Sequence, residues 1–315
     1  MHIPDGFLDG KTAVAAAAIS AIGFGFALKA AKKQMQPRRV PLMGVAAAFV
    51  FAAQMLNFPV GAGTSGHLMG AVLAAVLLGP SAAVIVISSV VIVQALLFAD
   101  GGLTALGANI FNMAIVGSVG GYAVYRLVHK VLPNERGRYV AIAFASWSST
   151  VIASICVAGE LAWSGTVHWG AGFPAMANVH MVIGVGEAVI TSLVVAAIGR
   201  TRKDLLEAEG EIVPAAQFVV YGLILALGLA LFISPFASPW PDGLEKVAIA
   251  LGFDQRAVTS PVIQSPVADY RFYGINSAVA GTALAGGIGT LIVFGLSFLL
   301  ARFLVPKSDF HSPSA

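Results

Sequence analysis

The stretch SAAVIVISSVVIVQALLFA, residues 81–99, decides the fold: it carries no Asp, Glu, Lys or Arg. As a helix rising about 1.5 Å per residue it is nearly as long as the hydrocarbon core of a bilayer is thick, roughly 30 Å. Working outward from it, further apolar stretches of spanning length cover 12–29, 40–57, 66–79, 107–126, 139–159, 178–198, 215–233 and 274–301. The third of the nine is short and meets the fourth through Gly79-Pro80-Ser81, a tight turn between helices. Composition agrees. Of 315 residues 58% are hydrophobic and only 10% charged, where a soluble domain carries about 25% charged residues. So little charge excludes a soluble enzyme, a disordered chain and a nucleic-acid module. A net charge of +3 is too small to imply an acidic partner, and Cys156, the one cysteine, excludes an internal disulfide or a cysteine-based zinc site. The expected fold is an all-α polytopic membrane protein with about nine transmembrane helices.

Basic residues prefer cytoplasmic loops. Fourteen of the eighteen follow spans one, five, seven and nine, from Lys29 through Arg39, Arg126 through Arg138, Arg200 through Lys203, and at Arg302 and Lys307. Only Lys11, Lys246, Arg256 and Arg271 fall on the other side. The amino terminus is therefore expected outside and the carboxyl terminus in the cytoplasm. The start MHIPDGFLDGK has no basic region before an apolar core and no small-residue cleavage site, so it does not read as a signal peptide. Met1 before the bulky His2 is expected to keep its free amine. A charged cytoplasmic linker at 200–213, containing RTRKDLLEAEGE, divides a module at 1–199 from a two-span module at 214–305. The outside loop of the second module, roughly 40 residues long and containing SPWPDGLEKVA, exceeds an ordinary connection.

Polar side chains inside a bilayer are costly and face a bundle interior or a water-filled site. Gln54 and Asn57, His67, Gln94, Asn109 and Asn112, and His180 all lie toward the outer ends of their spans, and Glu187 lies two turns deeper than His180 on the same face. The inner halves are almost wholly Ala, Val, Ile, Leu and Gly. Each amide by itself is explained by an interhelical hydrogen bond. Their shared depth points instead to a polar pocket open to the outside above an apolar floor.

At the mouth of that pocket, a free Met1 amine, the His2 amide nitrogen and the His2 imidazole can close two fused chelate rings on one metal ion. One further imidazole completes a four-nitrogen plane, the geometry that suits Ni(II) or Cu(II). His67 is the natural fourth donor, on a loop made pliable by GAGTSG at 61–66; alone it would read as a hydrogen-bonded residue opening a helix. Hard cations want oxygen ligands, and the carboxylates nearby, Asp5, Asp9 and Asp100, read as helix caps and turn formers.

The same residues carry a resemblance. MHIPDGFLD at 1–9, GTSGHLMG at 63–70, ALLFADGGLTALGANIFNMA at 95–114 and HMVIGVGEAVIT at 180–191 resemble the CbiM/NikM family, the substrate-binding S components of cobalt and nickel energy-coupling-factor transporters. The later segment is similar to the small CbiN/NikN component with its PDGLE signature, here fused. The resemblance implies a seven-helix S component plus a two-helix module in the prokaryotic plasma membrane. It implies a metal site of Met1, His2 and His67 for Ni²⁺ or Co²⁺ as transported substrate, with no organic cofactor. It also implies a transmembrane coupling subunit and ABC ATPase subunits as partners. No G-x-x-x-x-G-K-[ST] loop occurs, so ATP hydrolysis by that route lies outside this chain. Ala13, Ala17 and Ala21 on span one could face the coupling subunit or pack within the bundle.

The expected function is capture of Ni²⁺ or Co²⁺ at the outer face and delivery for ATP-driven uptake, without enzymatic activity. Ser65, Gln94, Asn109, Asn112, His180 and Glu187 are candidates to orient the metal ligands from behind. Metal and protons compete for the same nitrogens, so binding should weaken as the outside turns acidic. The nearest rival is cobalt-specific uptake for cobalamin synthesis. An intramembrane metalloenzyme using Glu187 is a rival of another class, but H-E-x-x-H is absent. His129, His168 and His311 fall in loops or the tail and read as incidental.

Overall fold

The computed structural model describes residues 1–201, 215–258, 264–272 and 274–306, and these are helical almost throughout. In chain order the helices are α1 (Gly10–Gln34), α2 (Arg39–Gln54), α3 (Ala71–Leu78) and α4 (Pro80–Val93), which runs on as a π-helical turn, Gln94–Phe98. Then α5 (Leu106–Asn109) continues through a π-helical stretch, Ile110–Gly120, into α6 (Gly121–Val131). α7 (Glu135–Trp163) and α8 (Trp169–Thr201) complete the first part. After it come α9 (Ala215–Gly228), a short outside helix α10 (Gly243–Leu251) and α11 (Ala278–Leu304). A small hairpin, β1 (Phe58–Gly61) against β2 (Thr64–Gly66), is the only sheet among the described residues.

Local chemistry sets the helix ends. Asp9 caps α1 by accepting the Thr12 amide at 2.9 Å, and Asn134 caps α7 through the Gly137 amide at 2.7 Å. Asp242 and Glu245 form a reciprocal capping box on α10. Among the described residues, six helices are long and apolar enough to cross a membrane: Gly10–Gln34, Pro80–Phe98, Glu135–Trp163, Trp169–Thr201, Gln217–Phe236 and Ala278–Leu304. α2 is a shorter apolar helix.

The expected third span, 66–79, needs correcting. Gly66 still belongs to the hairpin, residues 67–70 are not helical, and only Ala71–Leu78 forms α3. Eight residues reach about 12 Å, too short to cross. Gly70 sits at φ +73°, and the amides of Met69 and Gly70 are taken by the Glu187 carboxylate instead of by a preceding helical turn. The linker expected at 200–213 lies outside the described residues from 202 onward, as do Lys307 and His311.

α4 forms the centre, with Ala83 through Val91 buried on every face. Such all-round apolar burial is what a helix surrounded by other helices requires. α7 packs against α8, α11 against α2 and α4, and α9 against α2, so the two later spans join the bundle on its α2 side. Val14, Ile22 and Phe26 on α1 and Val182, Val189 and Leu193 on α8 are exposed. In water this would be an aggregation hazard; against lipid it is the ordinary outer surface. Ala17 packs on Gly107 of α5, where a Cβ would stand 2.4 Å from the Ala17 Cα. Ala17 and Ala21 are nonetheless both exposed.

Candidate metal-capture site

The amino-terminal segment is tied down at Ile3, Asp5 and Phe7. Asn109 accepts the Ile3 amide at 2.8 Å and donates to the Ile3 carbonyl at 3.1 Å. The Gly102 amide donates to the same carbonyl at 2.8 Å. Asp5 accepts both the amide and the hydroxyl of Thr104, Thr166 donates to the Phe7 carbonyl, and the buried Phe7 ring meets Phe253 edge-on at 5.2 Å. Residues 1 and 2 are thereby pushed into the bundle mouth: Met1 is 7% exposed, and the His2 side chain 6%.

His67 follows directly on β2 and is held from both sides. Before it, Ser65 donates its amide to the Pro241 carbonyl at 2.9 Å and its hydroxyl to the Trp240 carbonyl at 2.7 Å. After it, Glu187 accepts the Met69 amide at 2.6 Å and the Gly70 amide at 2.9 Å. The His67 Nδ1 faces the Leu68 carbonyl at 3.2 Å, which leaves Nε2 as the lone pair that receives the Met1 ammonium at 2.8 Å. The His2 and His67 rings stack with centroids 5.2 Å apart and planes 11° from parallel. Met1, His2 and His67, separate in the sequence by up to 66 positions, converge on one point.

Two carboxylates close the group. Asp242 accepts the Met1 ammonium at 2.6 Å, and Asp100 stands 2.9 Å from His2 Nδ1 while accepting the Tyr270 hydroxyl at 2.6 Å. Asp100 is therefore more than the turn former read from the sequence; it is the partner of His2. Asp242 and Tyr270 come from the later part of the chain, which thus touches Met1 directly and His2 through Asp100. Burial above all, with the Met1 ammonium and His2 beside it, pushes His67 down to about 3 against the pull of Asp242 and Asp100. The ring is neutral and ready to donate at neutral pH. Burial raises both carboxyls, but His2 and the Tyr270 hydroxyl beside Asp100, and the Met1 ammonium beside Asp242, outweigh it and hold both well below the usual carboxylate range.

The other sequence candidates stand one layer back. His180 turns Nδ1 to the Met176 carbonyl at 2.8 Å and leaves Nε2 buried without a partner, against Gly243. Asn112 donates to Glu160 at 2.6 Å, and Gln94 reaches the Tyr270 hydroxyl only at 3.5 Å. Among the described residues none of Ser65, Gln94, Asn109, Asn112 and Glu187 hydrogen-bonds to the His2 or His67 ring; they act on backbone or on other side chains. Sequence reasoning missed Asp242, Tyr270 and Glu160. Only Asp242 had a legible signal, the D-x-x-E capping pattern, and that pattern speaks of a helix start.

Two cavities meet at the site. One of about 10 Å³ is lined by Met1, His67, Met69, His180 and Asp242, which is room for about one water-sized particle. The other, about 540 Å³, lies between the modules and is lined by His2, His67, Asp100, Asp242, Glu245 and Tyr270 among others. Among the described residues no group of three or more His, Cys, Asp and Glu side chains has metal-binding spacing.

Residues 2–205 match the CbiM family, described as a cobalt uptake substrate-specific transmembrane region, and residues 216–305 match the PDGLE domain. A protein of Archaeoglobus fulgidus, provisionally named as a fused nickel transport protein NikMN, is 35% identical over 305 residues, covering 96% of this chain and 99% of its own length. The fused nickel transport protein NikMN of Rhodobacter capsulatus is 35% identical over 221 residues, covering 65% of this chain and 64% of its own. The crystal structure of a truncated transition metal transporter superposes with a TM-score of 0.59 at 35% identity, over 64% of this chain and 99% of that one. These relatives are transport proteins, and an enzymatic reading has no support among them. With six apolar helices of spanning length among the described residues and this family match, this is a multi-pass protein of the prokaryotic plasma membrane. The chain belongs to the CbiM family and carries a PDGLE domain after the CbiM region.

Proposed function

We propose that this protein captures Ni²⁺, or Co²⁺, at the extracytoplasmic face and presents it for ATP-driven uptake as the substrate-specific subunit of an energy-coupling-factor transporter. A transmembrane coupling subunit and ATPase subunits complete the transporter. The amino terminus faces outside, and the CbiM region (1–199) receives the metal while the PDGLE module (214–305) attends it.

The Met1–His67 contact carries this reading. Two nitrogens bound to one metal ion at about 2.0–2.1 Å and at a right angle lie about 2.8–3.0 Å apart. Met1 N and His67 Nε2 are 2.8 Å apart. The metal-free arrangement thus already spans one edge of a four-nitrogen square. The His2 amide nitrogen and His2 Nδ1 supply the other two corners, closing the fused rings with the amine. Loading replaces the Met1–His67 hydrogen bond and the His2–Asp100 contact by metal–nitrogen bonds. The incoming ion gives up water to nitrogen, and the amine and amide give up protons to the outside.

Nickel leads cobalt in affinity for nitrogen donors, and both relatives described above are named for nickel. Replacing His67 by Ala removes the fourth corner. The variant should fold, since among the described residues the ring makes only one hydrogen bond besides that with the amine, and should lose tight nickel binding in a calorimetric titration. Retention of one tightly bound nickel per chain would place the fourth donor elsewhere, His180 first.

A further inference from the structure

The structure assigns Asp242 of the PDGLE module as a fifth, apical oxygen donor to the captured metal. This rests on the four-nitrogen reading above and extends it. Asp242 Oδ2 lies 2.6 Å from the Met1 nitrogen and faces the same small cavity as Met1 and His67. Its side chain is only 15% exposed. The other oxygen, Oδ1, accepts the Glu245 amide at 2.9 Å as the cap of α10, so the carboxylate cannot turn away. An amine nitrogen and an oxygen bound side by side to one ion, each at about 2.0–2.2 Å, stand about 3 Å apart. The observed separation is a few tenths of an ångström shorter, a shift the amine can make once it leaves its ion pair for the metal.

Position follows from occupancy. The amine, the His2 amide, the His2 imidazole and His67 fill the four corners of the plane. A fifth donor beside the amine must then sit above that plane. The backbone of α10 keeps it there. Gly243 lies so close to His180 that a Cβ would stand 2.7 Å from the ring Nε2, and Leu244 and Val247 are buried against the bundle. Ser65 fastens the preceding Trp240-Pro241 to the hairpin that bears His67.

Charge gives the donor its purpose. A dication is costly in a low-dielectric membrane protein unless its charge is matched. Within the donor set the chelating His2 amide, once deprotonated, supplies one negative charge and Asp242 the second, so the donors match the dication, while Asp100 stands outside that set beside the His2 ring. Oxygen above the plane also changes selectivity. Four nitrogens in a square favour Ni(II) and Cu(II), whereas an added oxygen admits ions that resist square-planar binding, Co(II) among them. The PDGLE module thus widens the metal range of the CbiM site.

The test uses the full chain in detergent micelles, with Ni²⁺ or Co²⁺ alone as probe. Wild-type nickel should be paramagnetic, and its X-ray absorption should show four nitrogens and one oxygen. Asp242→Asn should turn the nickel site diamagnetic and four-coordinate, and should weaken Co²⁺ by about tenfold or more while changing Ni²⁺ far less. A diamagnetic, all-nitrogen nickel site in the wild type overturns the assignment even if the variant fails to fold, and leaves the four-nitrogen reading standing. Unchanged spectra in a folded Asp242→Asn protein overturn it equally. If the wild type binds neither metal, the capture reading itself fails.

Discussion

Asn109 holds Ile3 by both of its main-chain groups, accepting the amide at 2.8 Å and donating to the carbonyl at 3.1 Å. One side chain thereby fixes the direction of the chain that ends two residues earlier at the metal-facing amine. Both groups are buried, so removing the amide strands the Ile3 N–H, while the Ile3 carbonyl keeps the Gly102 amide. Asn109→Ala should cost about 1–3 kcal/mol in stability for the orphaned donor. It should also weaken nickel binding by about 10–100-fold, the range seen when an orienting partner is lost. Thermal unfolding in detergent and calorimetric titration check the two parts separately.

Glu187 plays the corresponding part for His67. Its two oxygens take the amides of Met69 and Gly70, just beyond the imidazole. Glu187→Gln replaces one acceptor by an NH₂ that faces an N–H donor. We expect a loss of about 1–3 kcal/mol in stability and weaker nickel binding, with no change in the number of metals bound. Wild-type affinity in the variant would show that the turn at Gly70 holds without the carboxylate.

His67 should resist protonation. Burial is the main cause of its shift from 6.5 to about 3. A base harder to protonate in the folded than in the unfolded chain makes the unfolded state bind more protons between those values, so stability is lost as pH falls below about 6.5 toward about 3. Imidazole nitrogen chemical shifts of the metal-free protein should report a neutral His67 at about pH 5, where a free imidazole is mostly charged. A titration midpoint near 6.5 would contradict the burial argument. His67→Gln should lessen the acid sensitivity of folding.

Gly243 is required by close approach. Its missing Cβ would lie 2.7 Å from His180 Nε2 and 2.7 Å from the Ile183 Cδ1. Gly243→Ala should lift α10 off α8 and carry Asp242 away from Met1. The Met1 amine should then react faster with an acylating reagent in the metal-free protein, a rate that mass spectrometry reads directly.

Much of the fold was legible because lipid imposes a length rule on apolar runs: α4, α7, α8, α9 and α11 fall close to their expected stretches, whereas α10 lies in the expected outside loop. The third span was misread because hydropathy does not register hydrogen bonding. Residues 66–79 are apolar enough to span, yet Gly70 and the distant Glu187 hold the chain out of the helix until Ala71. At the site, Met1, His2 and His67 could be found because chelate geometry depends on residues adjacent in sequence plus one imidazole at matching depth. Asp242 could not, since its contact with Met1 crosses 241 positions and its local pattern reads as a helix cap. Asp100 was hidden likewise in a turn sequence, Ala-Asp-Gly-Gly, that explains an acid without any partner. The depth of Asn109 and Glu187 was informative, but their targets are backbone groups, which no side-chain pattern reveals.

The central claim concerns the main-chain nitrogen of Met1, and one measurement addresses it most directly. Nickel titration of a chain lengthened by several residues before Met1 compares with the unmodified chain and with one tagged at the carboxyl end. Lengthening converts the amine at Met1 into an amide and moves the new amine beyond the five-membered ring it would share with the His2 nitrogen. The account predicts that tight binding disappears in the lengthened chain and survives in the tagged one. Undiminished, stoichiometric nickel binding by the lengthened chain would contradict it.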